Sequence, residues 1–288
     1  MNSPKEIAQN YIALGASKTK YPAMKLLVLG IMAGMFVGLA GVGATFVSAT
    51  VAGTSLASIG KFLSGVVFTA GLSMILIAGA ELFTGNCLIV VSVLAKEAKL
   101  GDMLKNWIFV YIGNFIGGIL VSVITVYGGT YSAFGGTAGV AAISTAVAKV
   151  SVSFSDILLR GIFCNFLVCV AVWMALAAKD VTGKIVALFL PIMLFVLSGY
   201  EHSVANMYFV PTGILASQRY EYYSAYAAAY NVVDLTALSW NAFFIKSLLP
   251  STLGNIIGGS GLVGAIYWFI YLSDTEKKAP AKRHGKKK

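Results

Sequence analysis

Long apolar runs separated by short polar stretches dominate the chain. Each run reaches or approaches the roughly 20 residues that a helix needs to cross a bilayer. The pattern therefore predicts an all-α integral membrane protein with six transmembrane helices. The predicted spans are 26–51, 62–94, 107–127, 161–178, 185–217 and 247–272.

The second and fifth runs are too long for a simple crossing. Each covers about 33 residues, which as one helix would extend roughly 50 Å, whereas the hydrocarbon core is about 30 Å thick. Both runs also contain a glutamate and glycines near the middle. Irregular backbone at membrane depth is tolerated only where it is buried in protein or lines a cavity. We therefore expect two broken helices, helices 2 and 5.

The composition supports the membrane assignment. Of 288 residues, 58% are hydrophobic and 11% are charged, whereas a soluble domain has about 25% charged residues. The formal net charge is +10, with Lys and Arg concentrated at the chain ends and in a few loops. That distribution is typical of membrane topology and argues against a nucleic-acid partner.

The positions of the basic residues predict the orientation. By our count, 16 of the 21 Lys and Arg residues lie on the side that holds both termini. The positive-inside rule therefore places both termini in the cytoplasm of a multi-pass protein in the cell membrane. We expect a cytoplasmic N-terminal helix at 1–22, a channel domain at 23–273 and a basic cytoplasmic tail at 274–288 that could contact membrane lipid.

The N-terminal segment has the signature of a helix start. The sequence "SPKE" at 3–6 is a capping box with proline at the first helical position. Apolar residues then fall on one helical face, which predicts an amphipathic helix that is either a lid over a pore or an interfacial anchor. These residues are Ile7, Ala8, Tyr11, Ile12 and Leu14.

Two motifs recur in the same order in the two halves of the chain. "GAELFTGN" at 79–86 aligns with "GYEHSVAN" at 199–206, and "KNWIFVYIGNFIGG" at 105–118 aligns with "KSLLPSTLGNIIGG" at 246–259. Because each half has three spans, the repeats, at about 23–128 and 150–273, must be inverted in the membrane. Paired broken helices in inverted repeats place a solute site at the midplane, so we expect a channel or transporter.

Glutamates occupy matching positions in the two repeats. Glu81 and Glu201 are ionisable groups deep within apolar runs, where charges are expensive and usually functional. Their symmetry favours a shared structural role, in which each meets the N-terminus of the half-helix that follows. Asn86 and Asn206 also recur and are predicted to be structural polar residues at the breaks.

A lone histidine breaks this symmetry. His202 aligns with Leu82, and an unmatched polar residue in a repeated motif indicates function, although a buried neutral structural histidine is the alternative. Thr84 lies at the start of a predicted half-helix, where its hydroxyl could bind an anion or simply cap the helix.

Large apolar side chains surround these polar groups and could narrow a pore. A dry constriction opposes a bare anion by several kcal/mol, whereas a neutral acid crosses at lower cost. A histidine beside the constriction could therefore supply a proton to a weak-acid anion. Lys149, assigned to a loop on the outer side, could raise the local anion concentration or be an ordinary solvated lysine. The candidate constriction residues are Phe68, Leu72, Leu82, Phe83 and Phe195.

Over 22–272 the sequence resembles the formate/nitrite transporter family. The resemblance rests on "AELFTGNCLIVV", "KNWIFVYIGNFIGG", "NFLVCVAVW", "SGYEHSVANMYFVP" and "LLPSTLGNIIGG". It implies an aquaporin-like protomer in a homopentamer, with one pore in each protomer. It also implies passage of formate, nitrite, hydrosulfide or a related small monovalent anion.

The resemblance also implies roles for individual residues. His202 corresponds to the central pore histidine and Thr84 to the threonine that faces it. Asn165 and Asn255 correspond to asparagines near that histidine, and Lys149 to a lysine of the pore vestibule. The chain has "ELFTG" where formate channels often have "DLFTS", so formate is the default substrate and hydrosulfide and nitrite are alternatives.

An intramembrane enzyme is the competing class. Glu201 and His202 could serve as acid and base, but no nucleophile motif or metal-ligand spacing such as H-E-x-x-H accompanies them. We therefore expect a transport protein without a cofactor, not an enzyme.

Overall fold

The computed structural model describes residues 1–232 and 234–273, and the predicted tail at 274–288 lies outside them. Within these ranges the regular structure is helical and no strand occurs. A 3-10 segment, Thr130–Gly136, precedes α6. The helices are α1 Pro4–Thr19, α2 Ala23–Ala49, α3 Ala57–Gly79, α4 Phe83–Leu94, α5 Leu100–Tyr127, α6 Thr137–Ser151, α7 Phe154–Ala177, α8 Val181–Leu197, α9 Ser203–Ser217, α10 Tyr220–Tyr230 and α11 Trp240–Tyr271.

Six helical stretches in the described chain are long and apolar enough to cross a membrane, so the predicted all-α membrane fold is confirmed. The run 185–217, which we expected to be a broken helix, is divided between α8 and α9, each shorter than a full span. The set of stretches differs from the prediction in one place. Thr130–Ser151, the 3-10 segment together with α6, is long enough, although Lys149 within it was expected to lie in a loop.

Both long runs are interrupted at a glycine with left-handed backbone. Gly79 has φ +88° at the end of α3, and Gly199 has φ +71° between α8 and α9. A side chain is strained at such angles, which glycine adopts freely. The chain continues in non-helical conformation until α4 begins at Phe83 and α9 at Ser203.

The N-terminal helix packs on the helical bundle. Ser3 and Glu6 form the predicted capping box. Tyr11 is buried and stacks on Trp173 at a centroid distance of 6.2 Å. Leu14, which we placed on the apolar face, is exposed, because the buried face turns towards Gly15 and Ala16 instead. Residues in α1 are therefore positioned to contribute to a site inside the protein.

Two helix pairs approach closely through glycines at matching spacing. A Cβ added to Gly113 or Gly117 in α5 would lie 2.4 or 2.2 Å from a backbone oxygen of α2. A Cβ added to Gly254 or Gly258 in α11 would lie 2.2 or 2.0 Å from a backbone oxygen of α7. Small residues allow such backbone contact between membrane helices. The same kind of contact therefore holds α5 on α2 and α11 on α7.

Candidate functional site

Asn114 of α5 holds the first interruption. Its Oδ1 accepts the backbone N–H of Phe83 at 2.9 Å. Its Nδ2 donates to the carbonyl oxygens of Gly30 and Glu81, at 2.8 and 2.9 Å. The first backbone N–H groups of a helix have no partner within the helix. One buried amide therefore caps α4 and also binds a backbone carbonyl of the segment that leads into this helix.

Asn255 of α11 makes the same set of bonds at the second interruption. Its Oδ1 accepts the backbone N–H of Ser203 at 2.8 Å. Its Nδ2 donates to the carbonyls of Gly161 and Glu201, at 2.8 and 2.9 Å. Asn114 and Asn255 align in the repeated motif "GN" followed by "IGG" after one residue. Sequence reasoning did not select Asn114, although this alignment contained the signal.

Glu81 is held by an ion pair with the N-terminal helix. Lys18 Nζ of α1 lies 3.0 Å from a Glu81 carboxylate oxygen and also donates to Asn86 Oδ1 at 3.0 Å. Asn86 Nδ2 in turn donates to Glu81 at 2.7 Å. Sequence reasoning missed Lys18, because the contact joins residues 63 positions apart and depends on how α1 packs.

Glu201 has the equivalent partners in the second half. Lys149 Nζ lies 2.8 Å from Glu201 Oε2, and Asn206 Nδ2 donates to Glu201 at 2.9 Å. Lys149 lies near the end of the regular helix α6, not in a loop as expected. The ammonium of Lys149 is therefore bound by a carboxylate.

The contacts revise one detail of the expected glutamate role. We predicted that Glu81 and Glu201 meet the N-termini of the following half-helices. Those N-termini are capped by asparagine side chains instead. The carboxylates bind a lysine and an asparagine side chain.

His202 and Thr84 connect the two interruptions. His202 Nε2 lies 3.0 Å from Thr84 Oγ1, and His202 Nδ1 accepts the backbone N–H of Ala205 at 3.0 Å. A backbone N–H can only donate, so Nδ1 carries no proton in this arrangement. The ring is therefore neutral, and its Nε2–H donates to the threonine hydroxyl. Both side chains are buried.

Asn165 binds backbone carbonyls next to this pair and so links the two halves of the chain. Its Nδ2 donates to the carbonyl of Thr84 at 3.2 Å and to the carbonyl of Asn255 at 2.7 Å. Cys169 Sγ also lies 3.4 Å from the Thr84 carbonyl. Asn165 and Asn255 thus act on the backbone around the histidine, and no direct hydrogen bond from either amide to His202 occurs among the described residues.

Two cavities are lined by residues of the two helix interruptions. The first, of about 470 Å³, is named here the Lys149 cavity and is also lined by Glu201 and His202. The second, of about 480 Å³, is named the Lys18 cavity and is also lined by Glu81. Each cavity therefore has an ion pair on its wall.

A narrow apolar gap separates the cavities. Its volume is only about 20 Å³. Phe68, Phe195 and His202 line both the gap and the Lys149 cavity. Leu72 and Leu82 line both the gap and the Lys18 cavity. Four of the five candidate constriction residues are thus together beside the histidine.

Phe83 is not part of that gap. Its ring packs against Tyr111 and Trp107, at centroid distances of 4.8 and 5.8 Å. It lines a separate apolar cavity between α5 and α11. Leu82, the extended residue before α4, lines the gap, whereas Phe83, the first residue of α4, lines this other cavity.

Comparison with known proteins gives consistent results. The family model described as "Formate/nitrite transporter" matches residues 5–269. A probable formate transporter of Methanothermobacter thermautotrophicus is 34% identical, over 94% of this chain and 98% of that protein. Formate channel FocA of Escherichia coli K12 is 37% identical, over 90% of each chain. A pentameric formate channel with formate bound superposes with a TM-score of 0.76 and 34% identity, over 87% of this chain and 98% of that one.

Proposed function

We propose that the chain, which belongs to the formate/nitrite transporter family, passes small monovalent weak-acid anions across a membrane. Formate is the default substrate. Two relatives are a formate channel and a probable formate transporter. These relatives are transport proteins, so the intramembrane-enzyme alternative is not retained.

The observation that carries the proposal is the apolar gap between two cavities with charged walls. A bare anion would lose its hydration in a gap of about 20 Å³ lined by phenylalanine and leucine, at a cost of several kcal/mol. A neutral weak acid of the same size loses much less. This arrangement supports a path in which the anion enters a cavity and crosses the gap as the neutral acid.

His202 is proposed to stabilise the substrate as a neutral hydrogen-bond donor. Its Nδ1 is occupied by the Ala205 N–H, so the ring gains a second proton only if that helix cap opens. Its Nε2–H, which Thr84 Oγ1 accepts, would bind a substrate oxygen that takes the place of the threonine hydroxyl. The proton of the neutral acid would then come from water in the cavity rather than from the ring.

The assembly and orientation follow from the same premise. We infer a homopentamer with one pore in each protomer, since a structural relative is a pentameric formate channel. We also infer a multi-pass protein of the cell membrane with both termini in the cytoplasm, as the Lys and Arg distribution indicates. The Lys149 cavity then opens to the outside and the Lys18 cavity to the cytoplasm.

Stopped-flow flux into proteoliposomes tests the proposal. Formate, nitrite and hydrosulfide are each presented in parallel with sulfate, and empty liposomes serve as the control. We expect the monovalent anions to pass and sulfate to be excluded, because the gap has no fixed positive charge to hold a divalent anion. Sulfate flux equal to that of formate would refute the proposal, and the relative rates of the three monovalent anions identify the preferred one.

A further inference from the structure

Each cavity contains further lysine side chains besides the one in its ion pair. Lys61, early in α3, lines the Lys149 cavity. Lys184, early in α8, lines the Lys18 cavity together with Lys25, whose ammonium lies over the Tyr21 ring at 3.8 Å from its centroid. α3 and α8 are the first halves of the two interrupted runs, so Lys61 and Lys184 occupy related places on opposite sides of the apolar gap.

The charges of the inner lysines are already compensated. Lys149 is 2.8 Å from Glu201 and Lys18 is 3.0 Å from Glu81. An anion that approached either ammonium would have to compete with a buried carboxylate, which repels it. Lys149 is therefore poorly suited to collect anions, which is the role that the sequence suggested for it.

Lys61 has no such partner. No carboxylate among the described residues lies within 4 Å of its ammonium. The ammonium reaches over the second interruption, since a Cβ added to Gly199 would be 3.2 Å from Lys61 Nζ. The charge is thus free, accessible to solvent and directed at the wall of the cavity that leads to His202.

Lys184 is placed comparably in the other cavity. It is half-buried, and in the part of the chain that the structure describes it has no carboxylate partner. Unpaired positive charge in a concave site raises the local concentration of anions. Partial exposure keeps the attraction weak, which conduction requires because the ion must also leave.

We propose that Lys61 and Lys184 each form a binding site for the small monovalent anion at the mouth of its cavity, one on each side of the membrane. This inference rests on the proposed function. It assigns Lys18 and Lys149, the inner pair, to holding the interrupted helices, and Lys61 and Lys184, the outer pair, to binding the anion. It also predicts that the two outer lysines act independently, each on flux from its own side.

The test measures initial formate flux against formate concentration in right-side-out and inside-out membrane vesicles. The variants are Lys61→Gln and Lys184→Gln, with Lys61→Arg to retain the charge. Lys246→Gln is the matched control, because Lys246 is exposed in α11 and does not line either cavity. Chromatographic elution and thermal unfolding of each purified variant establish that it is folded.

We expect Lys61→Gln to raise the apparent KM about threefold to tenfold in one vesicle type and to leave it unchanged in the other. Lys184→Gln should have the same effect in the opposite vesicle type. Maximal flux should stay near that of the unmodified protein, and Lys61→Arg should restore the KM. Added salt should slow flux at low formate in the unmodified protein more than in the variant affected on that side.

Several outcomes would overturn the inference. Lys61→Gln and Lys184→Gln could behave as Lys246→Gln does in both vesicle types, while the unmodified protein conducts formate. Either variant could instead change flux equally from both sides, which would indicate a structural effect. If the unmodified protein passes none of the small anions, the proposed function itself fails and this inference falls with it.

Discussion

Thr84 Oγ1 and His202 Nε2 lie 3.0 Å apart, and each belongs to a different half of the chain. Thr84 is in the first turn of α4 and His202 is the N-cap residue of α9. The hydrogen bond therefore joins the two helix interruptions, and His202 also lines the apolar gap between the cavities. Substitutions on either side of this bond test the proposed substrate path most directly.

His202→Asn removes titration but keeps an amide donor. If the ring acts as a neutral hydrogen-bond donor, the variant should still take up formate faster at acid pH, at a rate reduced about tenfold, equivalent to about 1.4 kcal/mol. Proteoliposome uptake measured between pH 5 and 8 checks this. Complete loss of the pH dependence would instead favour a histidine that supplies the proton.

Thr84→Val replaces the hydroxyl with a methyl group of similar size. The Nε2–H of His202 then loses its acceptor, and an unsatisfied buried donor costs about 1–3 kcal/mol. We expect a lower unfolding temperature and slower formate flux, whereas Thr84→Ser should stay close to the unmodified protein. Equal flux in the valine and serine variants would show that the hydroxyl has no part in transport.

Glu201→Ala leaves Lys149 without its carboxylate in a mostly buried site. Breaking a buried ion pair typically costs about 3–5 kcal/mol, so the variant should lose folded oligomer in detergent, as should Glu81→Ala. Gel filtration and thermal unfolding report the loss. The double variant Lys149→Met/Glu201→Leu removes both charges and should recover part of the stability.

The contrary result for the glutamates is equally specific. If Glu81→Ala and Glu201→Ala both remain assembled and thermally stable but lose transport, the carboxylates act on the substrate rather than on the fold. Flux and oligomeric state are therefore measured on the same preparations.

Asn114→Leu and Asn255→Leu should destabilise the protein to a similar extent, because the two amides make matching bonds. Leaving a buried backbone N–H unsatisfied costs about 1–3 kcal/mol, before the lost carbonyl partners are considered. Thermal unfolding provides the measurement. The exposed Asn241→Ala is the control, and a variant of either buried asparagine that melts with this control would contradict the capping role.

The hydropathy pattern was sufficient for the fold class. Apolar runs of this length have few alternatives to membrane-spanning helices, because backbone groups in lipid must be satisfied internally. The excess length of two runs, with a glycine and a glutamate near the middle, indicated the interruptions. Gly79 and Gly199 then have the positive φ angles that explain why glycine stands there.

Helix α6 was missed for a physical reason. Its sequence, "TAGVAAISTAVAKVS", is rich in small residues, so its mean hydropathy is modest. It packs closely on α9, where a Cβ added to Gly213 would be 2.2 Å from the Cβ of Ala146. Hydropathy measures transfer to an apolar phase and does not detect this fit between small side chains.

The lysines that form ion pairs with the two glutamates could not be predicted from the sequence either. Lys149 was selected from its predicted position on the outer side and from its resemblance to a family position, but its bond to Glu201 depends on where α6 is packed. In the first half, the ion pair between Lys18 and Glu81 depends in the same way on where α1 is packed. Spacing in a sequence predicts which residues share a helix face, whereas these contacts are set by tertiary structure.

The bonds of Asn165 have a consequence for the order in which the chain is made. A single amide joins the carbonyl of Thr84 to that of Asn255, and Asn255 leaves the ribosome 171 residues after Thr84. The first interruption can be capped as soon as Asn114 emerges, 31 residues after Phe83. Its junction with the second half must wait for almost the entire chain. A nascent chain that ends before α11 therefore carries a complete first cap but no finished pore, and the last helix to be inserted is the one that closes the site.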